Sequence, residues 1–302
     1  MSTPRFTGVY TALVTPFHED GSLDLEAYRA LIEEQIAAGI QGLVPCGTTG
    51  EAATLSPEEH LTVVRTCVEQ VKGRVPVVAG AGANATARAV EMHRQVKELG
   101  VDGALHVTPW YNKPTQEGLY RHFRALADAA SLPIVLYNVP GRTGVDLLPE
   151  TVLRLARDCG DVVAIKEATG SAARAQDVLT LLHDVRPDFS VLSGEDTFIL
   201  PLLGMGGHGV ISVISHLCAR DLVDMKAAFD KGDLKAAQAL ARKVSPLQPA
   251  LFFRANPIPV KTALALAGKM KDVFRLPLCP LSDAEKAELK KRLSEAGYGI
   301  AG

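Results

Sequence analysis

The sequence predicts an α/β protein: a (β/α)8 TIM barrel with a C-terminal helical extension. Eight short apolar runs rich in β-branched residues punctuate the chain. Amphipathic segments of helical period separate them. The repeat of roughly 25 to 35 residues is that of βαβ units, which build a parallel sheet, and eight such units suit a closed barrel.

In chain order, the first run is VYTALV (residues 9–14), and the segment LDLEAYRALIEEQIAAG after it has helical spacing. The second run, GLVPC (42–46), leads through CGTTGE to SPEEHLTVVRTCVEQVKG. This segment opens as a helix should, with Ser56 as N-cap, Pro57 at the first helical position and Glu59 three residues after the cap. The remaining runs are VPVVAG (75–80), GALHV (103–107), PIVLYN (133–138), VVAIK (162–166), FSVLSG (189–194) and GVISV (209–213), each followed by a turn signal. From about residue 218 only helical patterns follow: LVDMKAAFDKG, LKAAQALARKV, IPVKTALALAGKM and SDAEKAELKKRLSEAG. A barrel needs one of these. The expected organisation is therefore a catalytic barrel over 1–225 and an extension over 226–302 packed on it, with no flexible linker between them.

Bulk properties narrow the function. The chain has 302 residues, 47% hydrophobic and 22% charged, which is ample for a soluble core. Its net charge of −2, from 32 basic and 34 acidic residues, offers no footprint for nucleic acid or an anionic membrane. No apolar stretch is long enough to span a bilayer, and the N-terminus lacks the pattern of an export signal. The five cysteines are scattered and unpaired in pattern. A cytoplasmic protein acting on small molecules is expected, with no cofactor. No metal is implied either, because the histidines at 60, 106, 122, 183, 208 and 216 show no ligand spacing.

A barrel of this kind carries its site on the C-terminal ends of the strands, which singles out CGTTGE, AGAN, TPWYNKP, YNVPGRTG, IKEATG and SGED. Lys166 ends its run with Ala164 on one face, while Val163 and Ile165 take the other, so the amine can point along the barrel axis. An amine attacks a carbonyl only when unprotonated, and an apolar interior favours that state. The alternative is a solvated lysine paired with Glu167, but adjacent strand residues face opposite sides. Tyr137 has the same parity on the preceding strand, which puts a phenol beside Lys166 as a general acid/base; a core tyrosine with a satisfied hydroxyl is the competing reading. Thr48 and Thr49, between Gly47 and Gly50, suit carboxylate binding, as does the guanidinium fork of Arg142 in the loop 140–144; an ordinary capped turn and a solvated arginine are the alternatives. Trp110 and Tyr111, adjacent aromatics in a proline-bounded loop, hint at a subunit interface. The GAGANA segment at 80–85 formally fits a dinucleotide fingerprint, but it follows the third strand and alanines satisfy it cheaply.

CGTTGEAATLSPEEH, TPWYNKPTQEGLYRHF, YNVPGRTG, VVAIKEATG, SGED, GGHGVISV and ANPIPVK, in this order, closely resemble the dihydrodipicolinate synthase family. The resemblance covers nearly the whole chain. It implies a class I, Schiff-base lyase acting on pyruvate and aspartate semialdehyde. In it Lys166 forms the Schiff base, Tyr137 donates and accepts protons, and Thr48 and Tyr111 complete a proton relay. Tyr111 comes from a neighbouring subunit of an expected homotetramer. Thr49, the Ile211 backbone and Gly194 line the substrate site, and Arg142 binds the aldehyde substrate's carboxylate. Sialic acid lyases and other sugar-acid aldolases share the lysine and tyrosine and form the alternative. Lysine-inhibited family members often carry Ser, His and Glu where this chain has Ala52, Pro57 and Arg88, although His60 and Asn84 match, so weak or absent inhibition by lysine is expected.

Overall fold

The computed structural model describes residues 4–299. The barrel alternation runs β1 (Gly8–Ala12), α1 (Leu25–Ala37), β2 (Gly42–Val44), α2 (Pro57–Val71), β3 (Val78–Gly80), α3 (Thr86–Glu98), β4 (Gly103–Val107) and α4 (Gln116–Ala129). It continues with β5 (Ile134–Asn138), a one-turn α5 (Pro140–Thr143), α6 (Pro149–Asp158), β6 (Val162–Glu167), α7 (Ala172–Leu182), β7 (Ser190–Ser193), α8 (Ile199–Gly204), β8 (Gly209–Ser212) and α9 (Ser215–Asp230). After these come α10 (Leu234–Val244), α11 (Leu247–Leu251), α12 (Ile258–Leu266) and α13 (Asp283–Glu295).

All eight apolar runs are strands, in one sheet of order β2-β1-β8-β7-β6-β5-β4-β3, with parallel pairing. Their ends differ from the sequence reading where backbone chemistry intervenes. The second run stops at Val44, because Pro45 has no N–H to donate and Cys46 turns left-handed at φ +55°. The third begins only at Val78, after Pro76. Residue-to-residue contacts group the chain into two compact units, one joining the described residues up to Gly8 with Pro76–Ile211, the other joining Val9–Val75 with the residues from Ser212 on.

In the first unit, Ile134 and Leu136 of β5, Ile165 of β6 and Val191 of β7 belong to a fully buried cluster with Leu119, Phe123 and Leu126 of α4 and with Val152 and Leu155 of α6. Each such side chain contributes about 1.5–3 kcal/mol on burial. Strand alternation then directs Val135, Tyr137, Ala164 and Lys166 to the opposite face. Val162 shares the cluster with Ile165 although they are three positions apart in one strand. A register shift makes this possible: Ile134 pairs with Val162, but the next residue, Val135, pairs with Ala164. The bulge inserts one residue into β6 and so aims Lys166.

In the second unit the Ser56/Glu59 capping box of α2 forms as the sequence specifies, and Asp24 caps α1 through the N–H of Ala27. Gly42 must be glycine, since a Cβ there would lie 1.9 Å from the Tyr10 ring. The four C-terminal helical patterns are the helices α9, α10, α12 and α13.

Buried histidines make folding pH-dependent. His122 Nδ1 lies 3.0 Å from the Thr86 hydroxyl, and His216 accepts the Val14 N–H through Nε2 while Nδ1 faces Val213 O at 2.9 Å. Desolvation brings both pKa values down to about 4. These pKa values lie below the unfolded value, so the stabilisation is complete above about pH 6.5 and is lost as pH falls toward 4. Between pH 6.5 and 5 the loss is about 1.5 kcal/mol per histidine. The thermal midpoint, followed by circular dichroism, is expected to drop across that interval; a flat profile contradicts the assignment.

Candidate active site

Lys166 and Tyr137 are direct partners in the β5–β6 register. Both are buried, at 6% and 8% exposure, and the lysine Nζ stands 4.5 Å from the centroid of the tyrosine ring. Lys166 in turn pairs with Leu192, and Tyr137 with Val107, so the amine and phenol sit in a row across neighbouring strands. The pairing of a primary amine with a phenol in apolar surroundings equips the site for carbonyl addition with proton transfer.

The residues immediately following this pair face the helices and lock it in place. Asn138 Nδ2 donates to the Glu167 carboxylate at 3.1 Å and to Asp146 Oδ1 at 2.8 Å, while its Oδ1 accepts the Leu147 N–H at 3.0 Å. Glu167 also accepts the Thr169 N–H at 2.8 Å, and its carbonyl accepts the Gly194 N–H at 2.7 Å. Arg174 closes the network on Asp146. Burial raises the Glu167 pKa, against the lowering effect of Asn138 and Thr169. Sequence reasoning placed Glu167 opposite Lys166 but did not foresee this network. The signal was there in the dipeptides YN and KE, polar residues one step beyond each reacting group.

Gly194 admits no side chain, because a Cβ would come within 2.4 Å of Ala168 Cβ. Ile211 is buried in β8. Arg142 is exposed, and where a loop was expected it belongs to α5, whose end is the left-handed Gly144 at φ +73°. Thr143, the next residue, accepts the Tyr111 N–H at 3.3 Å through its carbonyl and meets the Thr108 hydroxyl at 3.3 Å. This ties the aromatic loop to the arginine turn. Tyr111 itself is left-handed at φ +74° and 87% exposed, beside an exposed Trp110. Gly82 of the GAGANA segment has a packing reason to be glycine, as a Cβ would lie 2.8 Å from Val107.

Thr48 and Thr49 belong to the second unit. Thr48 is exposed, whereas Thr49 is buried and its hydroxyl accepts from Asn256 Nδ2 at 2.9 Å. Glu51 pairs with Lys261 in full burial. Neither Asn256 nor Lys261 was singled out from the sequence beyond their place in ANPIPVK. Among the described residues no group of three or more His, Cys, Asp or Glu could hold a metal, and no helix is long and apolar enough to cross a membrane.

The family model of the dihydrodipicolinate synthetase family matches residues 5–296. The chain belongs to that family. A 4-hydroxy-tetrahydrodipicolinate synthase from Nitratidesulfovibrio vulgaris (strain DP4) is 54% identical over 97% of this chain and 99% of its own. A solved dihydrodipicolinate synthase from Thermotoga maritima aligns with a TM-score of 0.94 at 44% identity, covering 97% of this chain and 99% of that one. The Acinetobacter baumannii enzyme, solved in complex with pyruvate, aligns at 0.92 and 42%, covering 97% and 99%. The fold class read from the sequence, a (β/α)8 barrel with added C-terminal helices, is that of the family, and the family is one of lyases. These relatives also favour the synthase reading over a sugar-acid aldolase.

Proposed function

We propose that the protein condenses pyruvate with L-aspartate 4-semialdehyde to 4-hydroxy-tetrahydrodipicolinate, on the diaminopimelate route to lysine. The observation that carries this reading is the buried Lys166 amine registered against Tyr137 on adjacent strands. The Lys166 amine adds to the pyruvate C2 carbonyl and water leaves, giving an iminium. Loss of a C3 proton then makes the enamine, with Tyr137 carrying protons in a relay with Thr48 and Tyr111. The enamine carbon attacks the aldehyde of the semialdehyde, whose oxygen takes a proton. The substrate's own amine then adds to C2, closing the ring and expelling Lys166.

Pyruvate's carboxylate is received by Thr49 and the Ile211 backbone, with Gly194 leaving room at the end of β7. Arg142 takes the carboxylate of the second substrate in a planar, bidentate fashion. Tyr111, exposed in a single chain, reaches a neighbouring subunit in a homotetramer, where large exposed aromatics are at home. Residues 1–225 form the catalytic barrel and 226–302 its helical extension, in a protein of the cytoplasm.

Two measurements test this reading. Borohydride reduction in the presence of pyruvate should leave a stable adduct that maps to Lys166 by mass spectrometry. Comparison of kcat/KM for aspartate semialdehyde and a sugar-derived aldehyde should favour the former; a preference for the sugar overturns the substrate assignment. In the same assay lysine should inhibit weakly or not at all, since Ala52, Pro57 and Arg88 offer neither the hydroxyl, the imidazole nor the carboxylate that an amino acid's charged groups require. Micromolar inhibition contradicts this.

A further inference from the structure

The loop that carries Thr48 and Thr49 is held in an uncommon shape. Cys46 at φ +55° and Glu51 at φ +52° bracket it, two left-handed residues that are not glycine. Such conformations persist only where the surroundings over-determine them. Here the surroundings come from the C-terminal helices of the same compact unit. The Glu51 carboxylate and the Lys261 ammonium, both fully buried, form an ion pair. Lys261 Nζ also donates to Val273 O at 2.9 Å and lies 4.4 and 4.8 Å from the ring centroids of Phe17 and Phe274. The backbone N–H of Arg275 reaches the other Glu51 oxygen at 3.3 Å. In the loop itself, Thr15 donates its hydroxyl to Gly50 O at 2.7 Å, and Asn256 Nδ2 donates to Thr49 Oγ1.

The direction of this last bond matters. A threonine hydroxyl has one proton to give and two lone pairs to receive with. With Asn256 occupying a lone pair, the Thr49 proton is directed elsewhere, and a carboxylate needs a donor. The ion pair has a similar logic. Burying two charges is a poor route to stability, since an apolar pair of the same volume serves as well or better, and its best-attested use is to fix one arrangement against its alternatives.

We propose that Asn256 and Lys261 are positioning residues for pyruvate: Asn256 orients the Thr49 hydroxyl as a donor, and Lys261 pins the loop by its Glu51 end. The inference rests on the reading of Thr49 as a pyruvate ligand and adds to it a task for the helical extension. It places the segment ANPIPVK in the working of the site.

The experiment measures half-saturation by pyruvate, from the rate of borohydride-trapped adduct at Lys166, in wild type, Asn256→Ala, Lys261→Met and the double variant Glu51→Gln/Lys261→Met. Asn256→Ala is expected to raise the pyruvate half-saturation about 10- to 100-fold, the worth of one hydrogen bond to a charged group, with KM for the aldehyde unchanged. Lys261→Met leaves a buried carboxylate alone and lowers the thermal midpoint, whereas the double variant restores the midpoint but not the affinity for pyruvate. Recovery of pyruvate affinity in step with the midpoint makes the pair merely structural and overturns its positioning role. Unchanged half-saturation in Asn256→Ala overturns the role of Asn256. Absence of any adduct in the wild type is a different result, and it overturns the proposed function instead.

Discussion

Replacing Lys166 with methionine is expected to abolish turnover, with kcat falling on the order of a millionfold, as when a covalent nucleophile is removed from another enzyme. Methionine keeps the length and much of the volume of the side chain while removing the only atom that can form the imine. The site is already adapted to it: Lys166 is 6% exposed and lies on the inner face of β6 beside Ala164 and across from Leu192. The melting temperature of the variant should therefore equal or exceed that of the wild type, since burying a polar amine is costly and burying a thioether is not. Lys166→Arg provides the complementary control. Guanidinium keeps the charge but is not deprotonated in proteins, so it should restore neither adduct nor turnover. Retention of even one per cent of wild-type kcat in either variant removes the Schiff base from the mechanism.

The barrel was legible because its signal is periodic and redundant. Eight runs of β-branched residues, spaced by helices with explicit caps such as Ser56–Glu59, leave few topologies open. The parity of Lys166 and Tyr137 was legible for the same reason, since alternation near the end of a strand is a local property. The bulge at Val162–Ala164 was not, because a register shift depends on what the neighbouring strand offers, here Ile134 and Val135. The sequence pattern gives Arg142 a loop, yet PGRT closes a single helical turn with Gly144 as its left-handed stop. Four residues carry too short a pattern to separate a turn from a helix.

What sequence reasoning missed altogether were partners far apart in the chain: Asn256 with Thr49, separated by 207 residues, and Lys261 with Glu51, separated by 210. A polar residue within an apolar helix pattern, such as Lys261 in IPVKTALAL, is the trace such pairs leave. It signals that a partner exists without saying where.

The second large effect concerns the phenol. Tyr137→Phe should lower kcat about 10²- to 10⁴-fold, the range for a positioned general acid/base, while leaving the final extent of borohydride trapping with pyruvate unchanged. The substitution is well suited to the question because phenylalanine keeps the ring. The contact between Lys166 Nζ and the ring at 4.5 Å therefore survives, as does the packing of β5 against its neighbours, and only the hydroxyl is lost. If the hydroxyl carries protons, imine formation slows and every later proton transfer slows with it. Trapping then reaches the same extent at a lower rate, and kcat falls further than kcat/KM for pyruvate alone explains. If instead Tyr137 is a core tyrosine whose hydroxyl merely satisfies a hydrogen bond, its loss costs about 1 kcal/mol of stability and leaves the rate of trapping untouched. The two outcomes separate on a single time course, because stability and proton transfer are read from different observables in the same variant. A slowed approach to an unchanged plateau assigns the proton traffic to the neighbour that the register of β5 and β6 gives Lys166.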